Sequence, residues 1–267
     1  MDRLKELFKA KFTAASEEIK TLLKEHGTKV IDQVQIEQVY GGMRGIKSMI
    51  WETSSLDAQE GIRFRGYSIP ELREKLPCID GAKEPLPEGL FWLMMTGEIP
   101  TDDDVRWLSR EWMRRSEVPD HVIHSIDHLD NSIHPMTQFS IAIMAMQCDS
   151  IFAHKYEEGV SKSSYWEYMY EDAMNLISRV PIVAAYIYRK VFFKGEFLYP
   201  DRSMDWSANF AHMMGVESPV FKDLMRLYLT IHADHEGGNA SAHTVHLVGS
   251  TLSDPYLSLS AGMNALA

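Results

Sequence analysis

The segment SSYWEYMYEDAMNLISRVPIVAAYIYRKVFF, Ser163 to Phe193, is about thirty residues of helical pattern with one interruption, Pro181. Proline has no N–H to donate, and its ring presses on the carbonyl four residues earlier. A single internal proline in so long a pattern predicts one helix kinked at that point, not two helices. The segments around it read the same way. MTQFSIAIMAMQCDS, Met136 to Ser150, is a nearly all-apolar helix, a composition that predicts burial on most sides. In LPEGLFWLMMTGEIPTDDD, Gly97 ends one helix and Pro100 forbids its continuation. Thr101 and Asp104 then form a Thr-x-x-Asp cap for the next helix, and Asp102–Asp104 favour the positive end of its dipole.

Downstream, MDWSANFAHMMG and SPVFKDLMRLYLTIHADHE predict two further helices, the second amphipathic through Phe221, Leu224, Leu227, Leu229 and Ile231. Asp254 caps a helix that begins at Pro255 and runs through YLSLSAGMNALA with no stop signal. Upstream, residues 1–29 predict a helical arm, with Leu4, Leu7, Phe8, Ile19, Leu22 and Leu23 as its inner stripe and Gly27 as its stop. KVIDQVQIEQV alternates loosely, like a short strand. MIWET and GIRFRGY, around an SSLDAQEG turn, are the other strand material, and Ile69-Pro70 then opens a helix. The expectation is one mostly α-helical unit over 1–267, with a small ribbon near its N-terminus and the look of something unfinished.

Composition agrees with a globular chain: 45% of residues are apolar, 24% are charged and the net charge is −11. That acidity argues against nucleic acid as the main partner. No run of eighteen apolar residues predicts a membrane span. The N-terminal stretch is amphipathic, but Asp2, Glu6, Glu17, Glu18 and Glu25 are foreign to a mitochondrial presequence. Two cysteines, Cys78 and Cys148, imply no disulfide framework. The sixteen Met and six Trp, scattered at helical spacing, read as core filler.

TIHADHEGGNASAHTVH, Thr230 to His246, concentrates the polar chemistry. On a helix His232 and His235 would share a face, as would His243 and His246, and four imidazoles are a conceivable zinc set. Gly237-Gly238 should end the first helix, however, and the stretch lacks the H-E-x-x-H order, so no metal is expected. His243 and His246 read as histidines that cap helix-end carbonyls. For His235 and Asn239, which flank the glycine pair, spacing alone leaves open both a ligand-binding role and a helix-end role. YGGMRGIK places Arg44 and Lys47 among three glycines, an anion loop or simply a turn before a strand. Arg63 and Arg65 alternate and would share a strand face, able to bind an anion, though a solvated or ion-paired edge is the simpler expectation. Lys162, in GVSKSS, is a loop cation without intrinsic distinction.

Taken together, YGGMRGIKSMIWETSSLDAQEGIRFRGYSIPE, EPLPEGLFWLMMTGEIPT, LMRLYLTIHADHEGGNASAHT and GSTLSDPYLSLSAGMNALA resemble the large domain of the citrate synthase family in its eukaryotic mitochondrial form. The blocks occur in the family's order from about Val30 to Ala267. The resemblance implies an all-α homodimer in the mitochondrial matrix, with a small domain that closes over the substrates. It implies condensation of oxaloacetate with acetyl-CoA as co-substrate, giving citrate and free CoA, with no permanently bound cofactor. Residue by residue, His235 matches the histidine that hydrogen-bonds oxaloacetate, and Asn239 lines the same region. Arg44 matches an arginine associated with the coenzyme A phosphates. Lys162 stands where animal relatives carry an arginine thought to reach that cofactor, and it loses the guanidinium fork.

The resemblance also implies that the catalytic histidines, the aspartate base, the carboxylate-binding arginines and the small domain lie beyond Ala267. The 267 residues are then an incomplete large domain, expected to be inactive alone. Near alternatives are a 2-methylcitrate synthase, since propionyl-CoA differs by one methylene, and a non-catalytic protein that kept the scaffold. The apolar 137–150 and 164–194 segments are the expected contributors to a homodimer.

Overall fold

The structure, a computed structural model, describes residues 2–42, 46, 49–79, 81–194, 196–236 and 239–266. Among these, thirteen α-helices follow the chain: α1 Arg3–His26, α2 Ile36–Tyr40, α3 Ile69–Lys75, α4 Pro87–Thr96, α5 Asp102–Arg115, α6 Asp120–Asp127, α7 Pro135–Ala145, α8 Ile151–Glu157, α9 Tyr165–Phe193, α10 Trp206–Met213, α11 Pro219–Ile231, α12 Ala240–Ser250 and α13 Pro255–Asn264. Between α2 and α3 lies an antiparallel ribbon of β1 Ser54–Asp57, β2 Gly61–Phe64 and β3 Tyr67–Ser68, in the order β1-β2-β3. Ser54 pairs with Phe64 and Asp57 with Gly61.

The long helix α9 organises the core. Its first half contributes Tyr170 and Met174 to a cluster with Leu4, Trp92, Leu108 and Trp112 from α1, α4 and α5. Its middle and second half contribute Leu176, Val183 and Ile187 to a cluster with Val122, Ile126, Ala142, Ile143 and Tyr256 from α6, α7 and α13. As the sequence predicts, α9 continues through Pro181. The proline leaves the Ile177 carbonyl without its intrahelical donor. Trp206 Nε1–H, from the first turn of α10, donates to that carbonyl at 3.1 Å. A third cluster, Phe64, Leu72, Leu76, Leu90 and Leu93, seats the ribbon on α3 and α4.

Several local signals act as read. Gly97 ends α4 in the left-handed conformation (φ 77°). Thr101 and Asp104 form the capping box of α5, Ile69-Pro70 opens α3, and Asp254 caps α13; a Ser68/Glu71 capping box at α3 is an addition of the structure.

Other expectations are corrected. KVIDQVQIEQV forms no strand: residues 28–35 are irregular and Ile36–Tyr40 is a short helix started by a Gln35/Gln38 capping box. Alternation without a neighbouring strand has no ladder to join. The first ribbon strand is SSLD, not MIWET, with residues 58–60 as the turn. Arg63 and Arg65 do not share a face. Arg65 sits in the turn after β2 with φ 48° and donates from Nε (3.1 Å) and Nη2 (2.7 Å) to the Met94 carbonyl near the end of α4. Arg63 pairs with Glu60 at 3.1 Å and Glu71 at 3.7 Å, the ion-paired edge expected.

The apolar stripes are only partly inward. In α1, Leu4 is buried, but Ile19, Leu22 and Leu23 are exposed. In α11, Leu224 is exposed while Met225, Arg226 and Thr230 are buried. In α7 the buried side chains include Gln138 and Ser140, whereas Met136 and Met144 face outward. Ser140 Oγ meets Ser260 Oγ at 2.8 Å, a buried small-residue contact that brings α13 close to α7. Cys78 and Cys148 are both free and exposed. No helix among the described residues is long and apolar enough to cross a membrane.

Candidate functional site

The histidine-rich stretch straddles a helix end. α11 stops at Ile231, with His232 as its C-cap, before the glycine pair that was expected to end it; Gly237 and Gly238 lie outside the described residues. His232 Nδ1 donates to the Tyr228 carbonyl at 2.9 Å, and its ring stacks on Tyr228 with centroids 4.2 Å apart. That is a helix-end role. His235 therefore does not share a helix face with His232. It sits in the loop between α11 and α12, exposed, and its ring makes no hydrogen bond among the described residues.

Asn239 opens α12. Its Oδ1 accepts from Ser241 N at 2.9 Å and Ala242 N at 3.4 Å, satisfying orphan donors of the first turn. His243 and His246 lie inside α12 instead of capping its end. α12 packs on α13 at Gly262, where a Cβ would lie 2.3 Å from Val245 Cγ2. α13 is in turn anchored by Gln147 Nε2, which donates to Asp254 Oδ2 at 3.0 Å.

The loop and the two helices border a cleft of about 720 Å³. Its apolar side is formed by Leu56, Ile62, Ile231, Val245, Leu259, Met263 and Leu266. Its polar side is formed by His232, Asp234, His235, Asn239, Ser241 and His246, with Trp51 beside them. A concave, mostly apolar surface with a few convergent polar groups is the usual form of a small-molecule site. Both binding candidates in the histidine-rich stretch, His235 and Asn239, are thus brought together. Arg44 lies outside the described residues. Lys162 begins a 3-10 turn before α9, exposed, and is not among the residues lining this cleft. Among the described residues no group of three or more His, Cys, Asp or Glu side chains could hold a metal ion, so the four-histidine set does not form.

The residues missed from the sequence tie the loop to the ribbon. Trp51 Nε1–H donates to Asp234 Oδ2 at 3.1 Å, and Thr53 Oγ1–H donates to the same oxygen. Glu236 N–H donates to Ser54 Oγ at 2.9 Å, and Glu236 Oε2 accepts from Leu56 N at 3.2 Å. The only sequence trace was an acidic residue on each side of His235. Their partners lie some 180 positions away, which spacing cannot show.

A strongly displaced acid lies outside the cleft. Glu88, in the first turn of α4, is fully buried. Burial first, and the nearby Asp205 carboxylate second, push its carboxyl up to about 7. Ser109 Oγ–H (2.8 Å) and Trp206 N–H (3.4 Å) donate to one oxygen, and the other has no partner among the described residues.

The family model described as "Citrate synthase, C-terminal domain" matches residues 42–267. The chain belongs to the citrate synthase family. It is 55% identical over 265 residues to the probable mitochondrial citrate synthase of Glossina morsitans morsitans, covering 99% of this chain and 57% of that one. It is 56% identical over 264 residues to the mitochondrial citrate synthase of Saccharomyces cerevisiae, covering 99% and 55%. The chain thus spans somewhat more than half the length of these citrate synthases. The solved structure of citrate synthase from Pyrobaculum aerophilum superposes with a TM-score of 0.71 at 29% identity, covering 83% of this chain and 53% of that one. Citrate synthase from Thermoplasma acidophilum, solved as a ternary complex with carboxymethyl coenzyme A and oxaloacetate, shares the fold with a TM-score of 0.69 at 22% identity, covering 85% and 55%.

Proposed function

We propose that the chain supplies the oxaloacetate-binding wall of a mitochondrial citrate synthase, which condenses acetyl-CoA with oxaloacetate to give citrate and free CoA. The observation that carries this reading is His235: an exposed imidazole without a partner among the described residues, held at the polar side of an apolar cleft by anchored neighbours. The reaction removes a proton from the acetyl methyl group, and the resulting carbon attacks the ketone carbon of oxaloacetate. Negative charge develops on that ketone oxygen. An N–H donor set in place before the reaction stabilises the charge without having to reorganise, and removing one such donor typically costs on the order of 10²–10³ in turnover. His235 takes this role, and Asn239 Nδ2, whose Oδ1 is committed to capping α12, stands beside it.

The coenzyme's phosphates call for cations, and Arg44 is assigned to them by its place in the GGMRG motif. Lys162 supplies charge without bidentate geometry, so its contribution is the weaker of the two. The protein works as a homodimer through the exposed faces of α7 and α9, where Met136, Met144, Phe192 and Phe193 stand open. The mitochondrial assignment follows the relatives' names.

The test is thiol release from acetyl-CoA and from propionyl-CoA, each with oxaloacetate, by the longest polypeptide the gene encodes. Acetyl-CoA is expected to be the better substrate, and His235→Ala to lower turnover on the order of 10²-fold or more. A correctly folded protein with no thiol release from either acyl-CoA, or an unimpaired His235→Ala, would contradict the reading.

A further inference from the structure

We propose that Asp234 is a positioning residue for oxaloacetate binding, one that fixes the His235 imidazole by fastening its loop to the segment leading into the ribbon. The proposal rests on the reading of His235 as the oxaloacetate donor.

The loop between α11 and α12 belongs to neither helix, so nothing regular holds its backbone. β1 is an edge strand, and its outer side presents unpaired backbone groups and side chains that need partners. The two requirements meet. The Asp234 carboxylate accepts from Trp51 Nε1, from Thr53 Oγ1 and, at 2.9 Å, from the backbone N–H of His235 itself. On the other side of His235, Glu236 takes up the Leu56 N–H and gives its own N–H to Ser54. Residues 234 and 236 are both fastened, while the ring between them stays free to meet a ligand. A hydrogen-bond donor contributes to a transition state only when it is held in the productive geometry, and small misplacements cost heavily.

Two roles for Asp234 predict opposite effects. Oxaloacetate is a dianion, and Asp234 also lines the cleft. If the carboxylate acted only through its charge, removing it would tighten binding. If it acts by position, Asp234→Ala weakens binding even though an anion has been removed. Asp234→Asn keeps an acceptor oxygen for Trp51 and Thr53 but loses the charge and the acceptor for the His235 N–H, so it rescues in part.

The experiment measures oxaloacetate affinity by calorimetry on the full chain, together with the order of the His235 ring by ¹³C relaxation in the ligand-free protein and the thermal midpoint. Asp234→Ala is expected to lose affinity on the order of tenfold and to loosen the ring. Thr53→Val, which removes one donor, should lose less, and Asp234→Asn should lose less than Asp234→Ala. Affinity in Asp234→Ala equal to or tighter than the parent overturns the proposal, as does an equal loss in Asp234→Asn. Should Asp234→Ala fail to fold, Thr53→Val carries the test, and an unchanged ring and affinity there overturn it. If His235→Ala or the parent shows that oxaloacetate does not use His235, the functional reading fails separately. Ring order in the ligand-free variants then decides the latch alone, with a ring equally ordered in the parent and the variants counting against it.

Discussion

Glu88 shows what one residue's surroundings do to its chemistry. A carboxyl enclosed by α4, α5 and α10, beside the Asp205 carboxylate, is more stable protonated than charged. Its folded-state value of about 7 lies above the 4.5 of an ordinary glutamate, so between those values the folded state holds a proton that the unfolded state has released. Stability from this group is therefore full below about 4.5 and declines as pH rises to about 7, by on the order of 3 kcal/mol. Glu88→Gln cannot ionise. Urea unfolding of the variant should show a flatter pH dependence between 5 and 8 than the parent, and higher stability than the parent at pH 8. A parent whose stability rises across that window relative to Glu88→Gln would refute the assignment.

At the same scale, spacing alone leaves both roles open for Asn239 and for His235, and the structure separates them. Asn239 Oδ1 is spent on α12, while the His235 ring is uncommitted among the described residues. Cap chemistry is local and could be weighed from the sequence. The ribbon contacts of Asp234 and Glu236 are long-range and could not.

At the scale of elements, the long helix and its proline were legible because both depend on residues within a few positions of one another. The repair of the proline's gap was not, because Trp206 is twenty-nine positions from Ile177. This contact makes a testable claim. Trp206→Phe leaves the Ile177 carbonyl without a donor, at a cost of about 1–3 kcal/mol beyond lost packing. Pro181→Ala supplies an N–H four residues along, so the same Trp206→Phe change should cost about 1 kcal/mol less in that background. Denaturant midpoints of the four proteins in the cycle measure the difference, and strict additivity would show that the indole does not serve the gap. The strand misreadings share one cause. Alternation in KVIDQVQIEQV and MIWET says which side chains could share a face, but only a neighbouring strand turns that into a ladder. The ribbon's register is set instead by the turn at residues 58–60.

At the scale of the molecule, the all-helical class and the order of the caps were readable. Which side of each apolar stripe meets solvent was not, since composition records apolarity and not its partner. Ile19, Leu22 and Leu23 on α1, Val220, Leu224 and Tyr228 on α11, and Met136 and Met144 on α7 stand exposed. Exposed apolar surface on this scale marks association. Sedimentation should give a concentration-dependent dimer, and Met144→Glu should shift it toward monomer by placing a charge in the α7 face. A monomer at all concentrations, or a dimer indifferent to Met144→Glu, would remove α7 from the interface.

The account as a whole rests on His235 meeting oxaloacetate in the cleft between the ribbon, α12 and α13. Titrating oxaloacetate into protein with ¹³C-labelled histidine rings tests this most directly. The account predicts a saturable shift of the His235 resonance that disappears in His235→Ala, together with loss of binding. A His235 resonance that stays fixed while oxaloacetate binds elsewhere, or does not bind, would contradict it.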